Sequence, residues 1–238
     1  MADRTILVEQ LMQFSLTRQE ATIYIYLCEN EKLTGYEAAK LTGISRSNVY
    51  SALAGLVEKG AAYLIDGTTS RYVAVPVEEF CSNKVHRMLE LKAELEECMP
   101  TVTVQTEGYL TIEGTAHIED KIRNMIAQST KRLYISAQRE IIQKFFEELK
   151  DATARGIKVV ILTDYEPDPM NAVVYKAKRQ KHQIRLIIDS YFVLTGELEG
   201  KASDTCLYSG QKNFVTVFKE ALRNEIKLIE SGDLYDEN

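Results

Sequence analysis

The segment from residue 34 to residue 75 constrains the fold more than any other part of the chain. It opens with Thr34-Gly-Tyr-Glu-Ala-Ala-Lys-Leu-Thr-Gly, in which Thr34 and Glu37 have the spacing of a capping box and Gly43 can end a helix in a left-handed conformation. Ser45 then has the position of an N-cap for a second helix. The apolar residues that recur at helical spacing along this second helix are Val49, Leu53, Leu56 and Val57. Two short helices separated by a tight turn form a helix-turn-helix.

An alternating segment follows this second helix directly. Two strand-like runs flank Asp66-Gly-Thr-Thr-Ser, which is a good hairpin signal, and a hairpin after a helix-turn-helix is a winged helix. Such a module most often places its second helix in the DNA major groove. The polar residues on the outer face of that helix, and one basic residue beside the hairpin tip, are the predicted DNA contacts: Ser45, Arg46, Ser47, Asn48, Tyr50, Ser51 and Arg71. A winged-helix adaptor that contacts only proteins is the alternative.

Charge alone does not identify a nucleic-acid partner. The chain holds 29 basic and 35 acidic residues, for a formal net charge of −6. The balance between residues 40 and 59 is different, because Lys40, Arg46 and Lys59 stand against Glu58 alone. A specific DNA-binding protein needs a basic footprint rather than a basic chain. We therefore expect modest binding per monomer to double-stranded DNA, and a requirement for two modules acting together.

Length and composition predict a soluble protein of one or two domains. The chain has 238 residues, of which 45% are hydrophobic and 27% charged. No stretch is apolar enough to span a bilayer, and the first residues lack signal-peptide features, so a cytoplasmic location and no membrane partner are expected. No metal or other cofactor is predicted. The cysteines show no Cys-x-x-Cys pair and are expected to be reduced and mostly buried: Cys28, Cys81, Cys98 and Cys206.

A long helix is predicted after the wing. Pro76 suits the first turn of a helix that runs to about Met99. Residues at alternating steps of four and three form a seam of period 3.5, which is typical of a coiled coil: Val77, Cys81, Lys84, Met88, Leu91, Leu95 and Cys98. The seam indicates a dimerisation helix, with packing against the protein's own C-terminal domain as the alternative.

From Gly108 the chain alternates between strands and helices. The predicted strands are 109–113, 132–136, 158–163, 184–189, 191–195 and 204–209. The predicted helices are 117–128, 140–155, 171–178 and one that opens at residue 213. This order predicts an α/β sandwich around a mostly buried sheet. The expected domains are a winged helix at 1–76, a dimerisation helix at 77–100 and an α/β effector domain at 101–238.

The order of elements resembles that of TrmB-type transcriptional regulators. The resemblance is carried by Leu16-Thr-Arg-Gln-Glu-Ala, Ile44-Ser-Arg-Ser-Asn-Val-Tyr-Ser-Ala-Leu, residues 114–125 and Gly156-Ile-Lys-Val-Val-Ile-Leu. It implies a multidomain α+β protein with a winged helix-turn-helix, a connecting coiled-coil helix and a phospholipase-D-like α/β sandwich. It also implies a homodimer that binds DNA and responds to a ligand. Some members bind sugar through an extra C-terminal domain that we do not expect here, so no sugar ligand is predicted.

The resemblance to phospholipase D raises a second hypothesis, an enzyme. That superfamily uses His-x-Lys, four residues, Asp, six residues and Gly-Ser, in which the His attacks phosphorus and the Lys neutralises phosphate charge. Here His182 and Asp189 keep the spacing and Gly196 stands at the glycine position, but Ile184 replaces the Lys and Glu197 replaces the Ser. We therefore predict no catalytic residues. A phosphodiesterase-like enzyme tethered to nucleic acid is the alternative.

The C-terminal edge of the predicted sheet is the expected place for a small-molecule effector. The polar residues predicted to line a pocket there are Ser136, Gln138, Asp164, Tyr165, His182, Glu197, Ser209 and Asn213. Each could equally be an ordinary loop-capping group. The sequence as a whole predicts a homodimeric regulator of transcription with a non-catalytic effector domain.

Overall fold

The computed structural model of the protein describes residues 3–100 and 108–231. The chain divides into two compact units, Met1–Thr101 and Val102–Asn238. The predicted start of the effector domain at residue 101 lies outside the described residues.

The N-terminal unit is a winged helix followed by a long helix. Its elements are α1 (Arg4–Gln13), α2 (Arg18–Glu29), β1 (Leu33–Thr34), α3 (Gly35–Thr42), α4 (Arg46–Glu58), β2 (Ala62–Ile65), β3 (Arg71–Ala74) and α5 (Val77–Cys98). Strands β2 and β3 form the antiparallel wing hairpin, and β1 adds to the other side of β3. The helix-turn-helix predicted from the sequence is the pair α3 and α4.

Local capping fixes where α2 and α3 begin. The Thr17 hydroxyl accepts from the Glu20 N–H, and the Glu20 carboxylate accepts from the Thr17 N–H at 2.6 Å. Thr34 and Glu37 form the same reciprocal pair at α3, so the capping box predicted at Thr34 is present. Gly43 has φ +71° at the end of α3, a conformation that glycine adopts without steric cost.

The core of this unit joins α2, α4, the wing and the start of α5. Its largest buried side chains include Ile23, Tyr24, Leu27, Leu53, Leu56 and Phe80. The Tyr24 hydroxyl donates to the carbonyl of Val75 at 2.7 Å, which ties α2 to the end of the wing. Phe80 lies against the Tyr24 ring, with the centroids 5.8 Å apart. The predicted seam omitted Phe80, yet this residue anchors the first turns of α5.

Beyond these first turns, the apolar side chains of α5 face solvent. Met88 is 63% exposed, and Leu91 and Leu95 are each 50% exposed. Lys84 and Cys98 of the predicted seam are partly and largely exposed, respectively. The described residues of this chain therefore leave the second half of the seam uncovered.

The cysteines differ from the prediction of mostly buried thiols. Cys206 is buried, but Cys28 and Cys98 are exposed and Cys81 is partly exposed. The sequence placed Cys98 on an apolar helix seam, and a seam is buried only where a second surface covers it.

The C-terminal unit is a seven-stranded sheet with helices on both faces. Its elements are β4 (Leu110–Glu113), α6 (Thr115–Gln128), β5 (Arg132–Ala137), α7 (Arg139–Lys144), α8 (Phe146–Ala154), β6 (Lys158–Thr163), β7 (Val173–Lys176), β8 (Gln183–Ile188), β9 (Phe192–Glu197), β10 (Thr205–Ser209) and α9 (Lys212–Ser231). The strand order is β4-β10-β9-β8-β5-β6-β7, with β5, β6 and β7 parallel and the other neighbours antiparallel. Helices α6, α7 and α8 pack on one face and α9 on the other, which confirms the predicted α/β sandwich.

Two predicted helices of this unit were wrong in part. Residues 171–178 contain the strand β7, paired in parallel with β6, rather than a helix. Its Val173-Val174-Tyr175 core favours a strand, and a four-residue run is too short for periodicity to decide. Residues 140–155 form two helices, because the backbone at the fully buried Phe145 leaves the helical region at φ −114° and ψ 17°.

Candidate nucleic-acid interface and effector cavities

Helix α4 is fixed through one face and presents the other to solvent. Val49, Leu53 and Leu56 are fully buried in the core of the winged helix. The residues exposed on the N-terminal half of α4 are Arg46, Ser47, Asn48, Tyr50 and Ser51, with Ser45 just before them. The sequence predicted both sets, because burial along α4 follows the helical period of its apolar residues.

A buried carboxylate and a glycine bring α2 and α4 together. The Glu20 carboxylate is nearly inaccessible and accepts a bond from Lys59 Nζ at 2.6 Å. A Cβ at Gly55 would overlap Glu20 Oε1, so a larger residue there would displace the carboxylate from its present position. Burial alone would raise the Glu20 pKa, but the bonds from Lys59 and Thr17 hold that pKa below its usual value of 4.5. No local pattern in the sequence indicates this ion pair, because residues 20 and 59 are distant in the chain.

Aromatic side chains surround the start of α4. The Arg46 guanidinium lies over the Tyr36 ring, 4.7 Å from its centroid, which orients the arginine in solvent. The Tyr50 ring lies so close to Gly35 that a Cβ there would be 2.5 Å from Tyr50 Cε1. Tyr36 is half exposed and was missed by the sequence analysis, in which it was one residue of a helix start.

Ser45 occupies the N-cap position of α4 without the predicted side-chain cap. Its carbonyl accepts from the Val49 N–H at 3.0 Å, but its hydroxyl accepts no backbone N–H of the helix. The hydroxyl lies 3.3 Å from the Ser47 hydroxyl instead. Both hydroxyls are therefore exposed at a helix N-terminus, where the free N–H groups favour an anion such as a backbone phosphate.

Arg71 is the first residue of β3, next to the wing loop. It is exposed and pairs in register with Thr34 of β1 and Ile65 of β2. Backbone and hydroxyl bonds from Thr34 are the main reason that the pKa of Glu37 is below its usual value, and the Arg71 charge contributes in the same direction. Arg71 therefore has an acidic neighbour on the protein itself.

The residues predicted for an effector pocket lie at two opposite edges of the sheet. Ser136, Gln138, Asp164, Tyr165, His182 and Glu197 lie at one edge, where β5, β6 and β9 end and β8 begins. Ser209 and Asn213 follow β10, which is antiparallel to β9, so they lie at the other edge. The prediction that all eight share one edge was wrong, because the sequence does not fix the direction of β10.

Three of the six residues at the first edge line one of two cavities, and the other three line neither. Asp164 and Tyr165 line a cavity of about 560 Å³ whose other walls are Arg139, Gln143, Phe146, Glu166, Asp168 and Lys176. The Asp164 carboxylate also accepts from the Arg139 N–H at 2.9 Å, at the start of α7. The His182 N–H donates to the Gln138 side chain at 3.3 Å. His182, Gln138 and Glu197 line neither of the two cavities.

Ser136 lines a second cavity, of about 210 Å³, which we call the arginine cavity. It lies on the α9 face of the sheet and is lined by Ser136, Lys178, Arg179, Gln180, Gln183, Arg185 and Glu225. Apart from Ser136, none of these residues was predicted to line a pocket. The signal was present in β8, where Gln183 and Arg185 alternate with apolar residues and so share one face.

The positions of the phospholipase-D-like pattern lie along β8 and β9. His182 and Asp189 flank β8 at opposite ends, about 20 Å apart for a strand of this length. Ile184 is fully buried in the core beneath α6–α8. Gly196 lies inside β9, opposite Cys206 of β10.

Asp189 closes the turn that leads into β5. Its carboxylate accepts from the N–H groups of Thr130, Lys131 and Arg132 at 2.7–2.9 Å and from the Thr130 hydroxyl. Burial alone would raise the pKa of Asp189, but these bonds hold it below its usual value of 3.8. Ser209 has a similar local role, since its buried hydroxyl donates to the Gly108 carbonyl and accepts from the Gln211 N–H.

Within residues 3–100 and 108–231, every helix is too short or too polar to span a bilayer. The same ranges contain no group of three or more His, Cys, Asp or Glu side chains placed to hold a metal ion.

A winged helix with an exposed polar helix face, followed in the chain by a separate α/β unit with polar cavities, is typical of one class: transcriptional regulators with a helix-turn-helix and an effector-binding domain. Two family models match the chain. One is described as "Sugar-specific transcriptional regulator TrmB" and matches residues 11–78, and the other, for the N-terminal subdomain of the TrmB effector-binding domain, matches residues 109–220. The chain belongs to the TrmB family of transcriptional regulators.

The chain is also similar to individual proteins, at sequence identities of 28% or lower. The uncharacterized protein YrhO of Bacillus subtilis is 28% identical over 159 residues, which cover 66% of this chain and 58% of the length of YrhO. The archaeal chromatin protein TrmBL2 is 20% identical over 94% of this chain and 98% of its own, with a TM-score of 0.43. NucT from Helicobacter pylori is 17% identical over 50% of this chain and 96% of its own, with a TM-score of 0.42.

Proposed function

We propose that the protein binds operator DNA as a homodimer in the cytoplasm and responds to a small molecule through a non-catalytic effector domain. The observation that carries the proposal is the exposed N-terminal face of α4, in which Arg46, Ser47, Asn48 and Ser51 project from a helix whose opposite face is fully buried. Arginine and asparagine pair with guanine and adenine edges in the major groove, and serine hydroxyls suit bases or phosphates.

Replacing Arg46 or Asn48 by Ala tests this interface. Each variant should lose about 1–3 kcal/mol of affinity for the operator and less for a scrambled duplex, because base contacts specify sequence. The operator is first located by footprinting the DNA upstream of the protein's own gene. Titrations at fixed salt then compare both duplexes, since phosphate contacts make affinity depend on salt.

Lys150→Ala is the matched control for Arg46→Ala, because Lys150 is an exposed cation of the C-terminal unit. It should leave operator affinity unchanged. If Arg46→Ala and Asn48→Ala bind the operator as tightly as the original protein, with the fold intact, α4 does not read DNA. A module that contacts only proteins would then explain the winged helix.

The proposed dimer rests on α5. Its apolar seam continues past the anchored Phe80 with Met88, Leu91 and Leu95 exposed, and a second copy of α5 would cover them. Two winged helices related by twofold symmetry would then meet a twofold related DNA site. This arrangement also supplies the two modules that an acidic chain needs for specific binding.

Replacing Leu91 by Lys should weaken the dimer. Burying one leucine contributes roughly 1.5–3 kcal/mol, so the dimer Kd should rise at least about tenfold. Ala93 lies on the opposite side of α5 from Leu91, about 200° around the helix at 3.6 residues per turn, so Ala93→Lys is the control. Sedimentation velocity at micromolar concentration should show a dimer for the original protein and for Ala93→Lys. A monomer with full operator affinity would contradict the proposal.

A further inference from the structure

Cationic side chains converge on the arginine cavity of an acidic protein. Lys178, Arg179 and Arg185 line it, and Glu225 of α9 is the one carboxylate among the lining residues. The whole chain carries a formal net charge of −6, whereas the side chains that line this cavity include more cations than anions. An excess of positive charge around a small concave space attracts anions.

Arg179 is held in place by the protein before any ligand arrives. Its side chain is 4% exposed, and its Nε donates to the Ala177 carbonyl at 3.2 Å. One terminal nitrogen, Nη1, donates to the Ser136 hydroxyl at 3.0 Å and to the Glu225 carboxylate at 2.5 Å. A guanidinium fixed in this way loses little conformational freedom on binding a further acceptor.

Glu225 is shared between the two arginines. Its second carboxylate oxygen, Oε2, lies 3.4 Å from Arg185 Nη1. Arg185 is about one-third exposed, so part of its guanidinium faces the open side of the cavity. The carboxylate therefore marks where an oxyanion fits between these arginines, and it balances only one of the three positive charges.

We propose that the arginine cavity binds a small dianionic metabolite, either a phosphate monoester or a dicarboxylate. This assignment rests on the proposed effector-binding role of the C-terminal unit and names its ligand class. Arginine recognises both oxyanions through paired N–H donors. A cavity of about 210 Å³ is smaller than the roughly 300–1,000 Å³ of drug-sized sites, so the ligand is small. Glu225 competes with the ligand for Arg179 and Arg185.

The test is calorimetric titration of the full-length protein with glycerol 3-phosphate and, separately, with succinate. Arg185→Gln should weaken binding about ten- to a hundred-fold, the effect of losing one charge-assisted hydrogen bond. Glu225→Gln should tighten binding, because it removes the competing carboxylate, and a merely structural ion pair would not give that gain. Lys158→Gln, at the opposite end of β6 and outside the cavity lining, is the control and should bind as the original protein does.

The two probes distinguish the ligand subclasses. Binding of one probe, weakened by Arg185→Gln and strengthened by Glu225→Gln, assigns the phosphate or the dicarboxylate subclass. No heat with either probe, or binding unchanged in both cavity variants, overturns the proposal. Because these titrations contain no DNA, their failure leaves operator binding through α4 intact, and loss of operator binding leaves anion binding intact.

Discussion

Replacing Ile184 by Lys should destabilise the C-terminal unit by about 3–5 kcal/mol and create no phosphodiesterase. The substitution restores the residue that the phospholipase-D-like pattern lacks, but position 184 is fully buried among apolar side chains. A lysine there must either bury its charge without a partner or give up its proton, and this costs about that much free energy of unfolding. Hydrogen exchange of β8 peptides across a urea series reports this unit separately from the winged helix.

The stability of the Ile184→Lys variant should also depend on pH, which tests whether the new lysine is buried. Burial lowers a lysine pKa, so the variant is neutral when folded and charged when unfolded near neutral pH. The destabilisation should therefore shrink as pH rises toward about 10.4, the ordinary lysine value. Ile184→Met, which conserves volume and polarity, should cost less than about 1.5 kcal/mol.

A phosphodiester assay completes the experiment. Neither the original protein nor Ile184→Lys should hydrolyse a generic phosphodiester, since the side chain at position 184 is buried in the core and the Glu197 carboxylate would repel an anionic substrate. Turnover by the original protein that is lost in His182→Ala would establish an enzyme and refute the non-catalytic effector domain.

Replacing Gly196 by Ala should lower the free energy of unfolding of the C-terminal unit by about 3 kcal/mol or more. A Cβ at this position would overlap the backbone oxygen of Thr205 and lie 2.7 Å from the Cα of Cys206. Both obstacles are backbone atoms of β10, so β9 and β10 must separate to admit the methyl group. Overpacking a tight site typically costs 1–3 kcal/mol and more where the backbone has to move.

Gly67→Ala provides the matched control. At that wing position the nearest atom to a new Cβ is a backbone oxygen 3.8 Å away, an ordinary contact. Unfolding of each unit is followed by hydrogen exchange in β9 and β10 and in the wing. If Gly196→Ala lowers the free energy of unfolding no more than Gly67→Ala does, β9 and β10 do not approach each other as closely as the structure indicates.

Local features were predictable because they depend on neighbours in the chain. The capping boxes at Thr17 and Thr34, the glycine at 43 and the buried face of α4 all follow from spacings of three or four residues. Periodicity gave the wrong element at β7, because four residues are too few to show a period. It also missed the break between α7 and α8 at Phe145. The seam of α5 was found by its period, but the period could not show that Phe80 anchors the helix.

The sequence by itself determined the winged helix, the alternating α/β unit and the exposed residues of α4, because periodicity and capping act over a few residues. Only the tertiary structure decided which distant groups meet. The antiparallel direction of β10 moved Ser209 and Asn213 to the far edge of the sheet, and β8 separated His182 from Asp189. Packing of α9 on the sheet brought Glu225 to Arg179, a pair 46 residues apart. Such contacts depend on strand order and layer packing, which a local pattern in the sequence does not encode.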